Sequence, residues 1–278
     1  MTPRLDRAVF ALALIALGIL TLVYGDFAMQ WQPVPDWMPA RAALAYVSGA
    51  VLLATGGGVL FVRGERLASR VLIVYLLLWF LLKVPPLITA PLFEANWLGA
   101  GELAVLVAAG LVLLAPSGSS GSVSEDRWTT LVRFVFGFAL IPIGLSHFFY
   151  LQPTIGFVPK WLPFPVFWAY LGGAGHIAAG LAVLVGVVPR LAATLEGAMI
   201  GVFTVLVWLP GVLASPGNRL QWTGMLMSWI IGAAAWVVAG GVSTKAVSAT
   251  SSGAGASPPV KAPASVSASV PPSTVKRS

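Results

Sequence analysis

The chain of 278 residues holds two histidines, and both lie in apolar runs long enough to cross a bilayer. His176 shares one helical face with Gly172 and Gly180, four residues away on either side, flanked by Ala169, Gly173 and Ala179. Small residues at this spacing let a neighbouring helix approach closely, so His176 is expected to face protein rather than lipid. An ionisable group at mid-span is costly there and is a functional candidate for that reason. Glu196 is the second such group. Its neighbours one turn away are Ala192, Ala193, Met199 and Ile200, none able to pair with a carboxylate, so its partner must come from another helix. At about 1.5 Å of rise per residue, Glu196 and His176 differ in depth by under about 10 Å, which allows a contact. Such a pair can carry a proton, orient the imidazole toward a cofactor, or neutralise two polar groups, and spacing does not choose among them. His147 precedes Phe148-Phe149-Tyr150 near the outer end of its run. It reads either as a headgroup-level residue or as a second imidazole joining His176 on a haem iron. Depths differing by about 10 Å or more speak against a shared iron.

Elsewhere the polar candidates are Asp26, Lys83, Glu94 and Glu102. Lys83 and Glu102 fall near the outer ends of adjacent runs, and a salt bridge locking those helices together is expected. No phosphate-binding glycine loop, nucleophile elbow or dinucleotide fingerprint is present. Cysteine is absent, which removes disulfides, thiolate zinc sites, iron–sulfur clusters and dithiol chemistry within this chain. Two histidines alone do not make a metal site. Any electron transfer needs a haem, a quinone or a partner.

These residues sit in a membrane protein. Hydrophobic residues make up 58% of the chain and charged residues 9%, outside the range of soluble domains. A net charge of +7 suggests nucleic acid in a soluble protein, but here the basic residues lie between apolar runs and in the tail. They read as topology determinants, with the lipid bilayer as the partner and no nucleic acid.

The runs that position the candidates come in two sets. Val34-Pro35-Asp36-Trp37-Met38-Pro39 returns as Val158-Pro159-Lys160-Trp161-Leu162-Pro163. In that register Gly49 falls on Gly173, Gly56 on Gly180, and Leu52 on His176. One further inserted residue aligns Pro85 with Pro210, Pro91 with Pro216 and Trp97 with Trp222. This reads as a tandem duplication with a period of roughly 125 residues, each copy a bundle of its own. The expected fold is all-α: eight transmembrane helices as two parallel four-helix repeats. Repeat one covers 1–115, a Ser/Gly-rich linker 116–127, repeat two 128–241 and a disordered tail 242–278. The expected spans are 8–24, 40–62, 67–84 (stopped by Pro85-Pro86), 98–115, 128–150, 164–187, 190–209 and 221–241. Between the second and third spans, Arg63-Gly64-Glu65-Arg66 reads as a tight charged turn. Lysines and arginines concentrate on the side of the N-terminus, so both termini are expected in the cytoplasm and the two proline-tryptophan loops outside. Trp37 and Trp161 suit the interfacial level, as helix anchors or as a cavity lid.

Gly144-Leu145-Ser146-His147-Phe148 at the end of a first helix, a Pro-Lys-Trp-Leu-Pro loop, Leu171-Gly172-Gly173-Ala174-Gly175-His176 in a second helix and Pro189-Arg190 opening a third together resemble the DoxX family of bacterial membrane proteins. The resemblance covers about 127–241. The first copy resembles the family weakly and lacks both histidines. It implies a four-helix unit in the bacterial inner membrane. Through some relatives it also implies quinone-coupled oxidation of sulfur compounds or membership of membrane oxidoreductase complexes. On that footing the chain is expected to be a redox-associated, quinone-linked subunit, with a quinone or haem near His176 and Glu196 and a membrane or soluble redox partner. A small-solute transporter with a cavity between the copies, and a non-enzymatic scaffold for a soluble partner, are the alternatives, and whether the chain is itself an enzyme stays open.

Overall fold

With no water in the hydrocarbon layer, an apolar run must satisfy its backbone within itself, and the α-helix does so. The computed structural model describes residues 5–29, 31–61, 65–115 and 123–242. The helices are α1 (Leu5–Tyr24), α2 (Arg41–Leu60), α3 (Glu65–Thr89), α4 (Glu94–Leu114), α5 (Val123–Phe149), α6 (Leu151–Phe157), α7 (Pro165–Val185), α8 (Pro189–Phe203), α9 (Leu209–Ala214) and α10 (Arg219–Gly241), with a π-helical turn at Thr204–Trp208 joining α8 to α9. Counting Pro189–Ala214 as one span, eight helices are long and apolar enough to cross a membrane. The protein is a multi-pass membrane protein, and the bilayer is its solvent.

The halves interlock at their ends. The first helix of each packs on the second of the same half, α1 on α2 and α5 on α7, and on the last helix of the other half, α1 on α10 and α5 on α4. α4 and α10 meet in the middle and are the most buried spans. α3 and α8 lie outside and show leucines and valines such as Val74, Leu78, Leu81, Leu195 and Val202 to the surroundings, as lipid requires. Because lipid tails are as apolar as leucine, close packing rather than water exclusion must hold the helices together. A Cβ on Gly56 would stand 2.8 Å from the Ala11 carbonyl oxygen, one on Gly180 2.7 Å from that of Gly137, and one on Gly144 2.6 Å from that of Gly173. Backbones therefore touch in both α1–α2 and α5–α7.

Both Pro-Trp-x-Pro loops end alike. Ala40 and Phe164, each directly after the second proline of its motif, take left-handed φ values of 55° and 57°, and a helix begins at the next residue. Trp37 and Trp161 are 77% and 70% exposed, on loops at the ends of spans.

Several boundaries depart from the sequence reading. Pro85 and Pro86 do not stop the third span; α3 runs on through both to Thr89. Proline φ is helical, so only the missing amides are lost, and Thr89 Oγ1 donates to the Pro85 carbonyl (3.0 Å) to help close that turn. α5 starts at Val123, within the stretch read as linker. Residue 62 of the second expected span, 63–64 of the charged turn, 116–122 of the linker and 243–278 of the tail lie outside the described residues. The turn Thr204–Trp208 is where the second half carries its one extra residue, between Ala192 and Pro210. A π turn absorbs one residue without breaking the helix, and such turns recur at functional sites.

Candidate functional site

α7 and α8 are joined by a short turn in which Gly186 (φ 78°) ends α7 and Val188 precedes α8. Arg133 of α5 donates to the Val183 and Leu184 carbonyls in the last turn of α7 (both 2.9 Å), holding the end of α7 against α5. This hairpin sets His176 opposite Glu196: Nδ1 and Oε1 are 2.6 Å apart and share one proton. His176 is 2% exposed and Glu196 1%. The contact that the sequence allowed is present, and His176 is buried against protein.

His147 joins them. Its ring centroid lies 5.0 Å from that of His176, the rings tilted by 48°. The expected depth difference is corrected. Tyr150 is not the outer limit of the polypeptide there, because α6 continues beyond it and packs against α7, so His147 sits lower than a count from Tyr150 implies. Its Nδ1 lies 3.0 Å from the Ile143 carbonyl oxygen. A carbonyl only accepts, so Nδ1 carries the hydrogen and Nε2 is left as a lone-pair acceptor. That edge lies over Gly172: a Cβ there would be 3.5 Å from His147 Nε2 and 3.2 Å from Phe203 Cζ. Phe203 closes the cluster, 6.2 Å from the His176 ring and 6.5 Å from that of His147. It is the last residue before the π turn, where Thr204 Oγ1 donates to Ser228 Oγ on α10 (2.9 Å).

Chemically, this is a buried carboxyl group hydrogen-bonded to an imidazole, with a second imidazole beside them. His147 is half-buried, whereas His176 and Glu196 are not exposed. Glu196 Oε2 has no hydrogen-bond partner among the described residues, which leaves one acceptor free in a dry site, a costly arrangement. A haem shared by the two imidazoles does not fit. Rings 5.0 Å apart leave no layer for a macrocycle between them, and Gly172 and Phe203 close the space alongside. A quinone headgroup asks less: proton donors and acceptors beside an aromatic face, which His147 Nε2, the His176–Glu196 pair and Phe203 provide. Among the described residues, no three His, Asp or Glu side chains stand close enough to hold a metal ion.

Lys83 on α3 and Glu102 on α4 act on each other electrostatically, and Glu102 Oε2 also accepts from Trp31 Nε1 (3.1 Å). Sequence reasoning missed Phe203 and an ion cluster at the loop end. Asp26 receives Arg41 and Arg219, the latter at 2.7 Å, and Arg219 also donates to the Phe27 carbonyl (2.6 Å). Burial raises the Asp26 pKa, but the Arg219 hydrogen bond, the Phe27 amide and the charges of both guanidinium groups outweigh it and hold it below the ordinary carboxylate value. Opposite charges on loops assigned to one side were the available signal.

Fold and site together define a polytopic helical membrane protein with a polar cluster in its second half. The family described as DoxX matches residues 128–209, a stretch that contains His147, His176, Glu196 and Phe203 and leaves the first half outside the match. No curated protein and no solved structure matches the chain.

Proposed function

We propose that this protein is a redox-associated membrane subunit whose second half handles the proton that accompanies quinone oxidation and reduction. The observation that carries the reading is the buried His176–Glu196 pair with its unpaired Oε2 and the His147 ring alongside. A bound quinol supplies two hydroxyl protons and two electrons. His147 Nε2 is the acceptor nearer the outside and takes a hydroxyl proton. The imidazole of His176, held by Glu196, takes the next, as carboxylate–imidazole pairs do elsewhere. Phe203 and Gly172 keep water away from both rings. Electrons pass to a redox partner protein, the chain itself offering no thiol to accept them. The first half is read as a diverged copy of the second, the termini as cytoplasmic and the proline-tryptophan loops as outward-facing, on the basic residues of the N-terminal side.

The test is the quinone content of the protein purified in mild detergent, measured on its lipid extract. Wild type is expected to retain quinone near stoichiometry and His176→Leu/Glu196→Leu none. Equal quinone in both, or none in wild type, overturns the reading. Solute flux into proteoliposomes without any redox partner would then favour a transporter, and stable co-purification of a soluble enzyme a scaffold.

A further inference from the structure

The segment between the first helix and the proline-tryptophan loop is placed differently in the two halves. In the first half Phe27, Ala28, Trp31 and Gln32 are all buried. Phe27 stands edge-on to Trp79 of α3, their rings 5.6 Å apart, and Trp31 Nε1 donates to Glu102 of α4 (3.1 Å). Gln32 Nε2 donates to Ser48 of α2 and to Tyr75 of α3 (2.7 and 2.6 Å). The segment is a plug inserted among three helices. The register of the two proline-tryptophan motifs sets Leu151, Gln152, Ile155 and Gly156 at those four positions in the second half. They belong to α6, which has no buried residue and lies outside, against α7 and α5, with the Phe157 ring 5.1 Å from that of Trp208.

The same register identifies the seat that α6 leaves. Ser48, Tyr75 and Trp79, which hold the plug, fall on Gly172, Met199 and Phe203. The His147 ring stands there instead: its edge lies over Gly172, and its centre is 6.5 Å from that of Phe203. The first-half counterpart of His147 is Val23, which is 73% exposed. Where the plug is in, the side chain at this position points out; where the plug is out, it points in.

We propose that α6 and the His147 ring exclude each other from this seat and give the second half two states. One is the state described, with His147 in and α6 out; the other is built like the first half, with α6 in and His147 turned out. Close packing leaves no room for both, and alternative packings are discrete rather than graded. Insertion of α6 would bury Leu151 and Ile155 where the first half buries Phe27 and Trp31. Gly156 stands where Gln32 makes its two bonds, and Gly172 and Met199 where Ser48 and Tyr75 receive them, so nothing polar locks α6 in as the first plug is locked. Turned out, His147 leaves the His176–Glu196 pair and carries a proton on Nε2 away from it. That consequence rests on the proton-handling reading; the exchange of α6 with His147 does not.

The chain has no cysteine, so single cysteines report each segment. The experiment is the rate at which a water-soluble maleimide labels the full chain in lipid nanodiscs, with thermal unfolding recorded for every variant. Gln152→Cys, at an exposed position of α6, is expected to label readily, and Ala28→Cys, its buried counterpart, to be protected. Adding His147→Val, which vacates the seat, is expected to slow labelling of Gln152→Cys roughly threefold or more. His147→Phe, which keeps a ring there, is expected to leave that rate unchanged, and Trp161→Cys on the loop to label alike in every background. The proposal is overturned by a Gln152→Cys rate that His147→Val does not slow, by one as slow as Ala28→Cys from the start, or by slowing that His147→Phe or Trp161→Cys shares. No quinone enters this measurement, so a failed exchange and a failed quinone reading are told apart.

Discussion

The space between the second and third helices holds a polar cluster in each half of this protein, and the two clusters are built differently. In the second half it is His176 and Glu196. The register that matches Gly49 to Gly173 puts Leu52 and Leu72 at those positions in the first half, both buried. The first half instead places Ser48 and Tyr75 at the positions of Gly172 and Met199. Their hydroxyls meet at 2.7 Å, and Gln32 Nε2 donates to both, at 2.7 and 2.6 Å. Gln32 Oε1 in turn accepts from the Ala28 amide (2.7 Å). That network is closed, with each member bonded to another, and it ties a loop to two helices. The second cluster leaves Glu196 Oε2 unpaired and has an imidazole leading outward. A satisfied network stabilises; one that leaves a buried acceptor unpaired costs stability.

The comparison breaks most readily at the pair itself. Glu196→Leu strands a buried imidazole and is expected to cost about 3–5 kcal/mol, whereas His176→Leu/Glu196→Leu, which copies the first half, should recover most of that. Unfolding in mixed micelles measures both, and a double variant as unstable as the single would mean that the first half is no template for the second. Backbone contact gives the next effect. Gly144→Ala drives a methyl toward the Gly173 carbonyl and should cost about 1–3 kcal/mol. Gly56→Ala, facing the Ala11 carbonyl, should cost as much, and Gly57→Ala, with nothing within 4 Å, should be neutral or stabilising.

The ion cluster that joins the α1–α2 loop to α10 sets a pH dependence. Because the folded pKa of Asp26 is depressed, its contribution is complete above the ordinary carboxylate value and is lost as pH falls through the folded one. The thermal unfolding temperature should therefore fall on acidification in wild type and less so in Asp26→Asn, which itself costs about 1–3 kcal/mol at neutral pH. The smallest effect is Tyr75→Phe, about 1 kcal/mol, since Gln32 and Ser48 keep their bond. Quinone content should not change, which separates the closed network from the open one.

Much of this was legible in the residues. Eight apolar runs fixed the helix count, and the small-residue face of α7 located His176 against protein. The neighbours of Glu196 on its own helix, all unable to pair, required a partner from elsewhere. What a one-dimensional count could not give was tilt and continuation. The His147–His176 contact depends on α6 extending the chain past Tyr150, and α3 passes through Pro85-Pro86 because the proline ring is compatible with a helix whose lost bonds are few. The π turn was visible only as an inserted residue in the alignment of the halves, a signal that carries no geometry until the helix is seen to remain unbroken. Phe203 gave no signal, since a phenylalanine in an apolar span looks like any other.

The proposed function puts a proton from a bound quinol on the His176–Glu196 pair, within which Glu196 can take it up. Infrared difference spectroscopy of the protein in nanodiscs, recorded as quinone is reduced, reads it in the carboxyl stretching region. A band from a carboxyl group changing its protonation, lost in Glu196→Gln and kept in Glu94→Gln and Glu102→Gln, is the predicted result. A spectrum without that band, or one in which it persists in Glu196→Gln, contradicts the account.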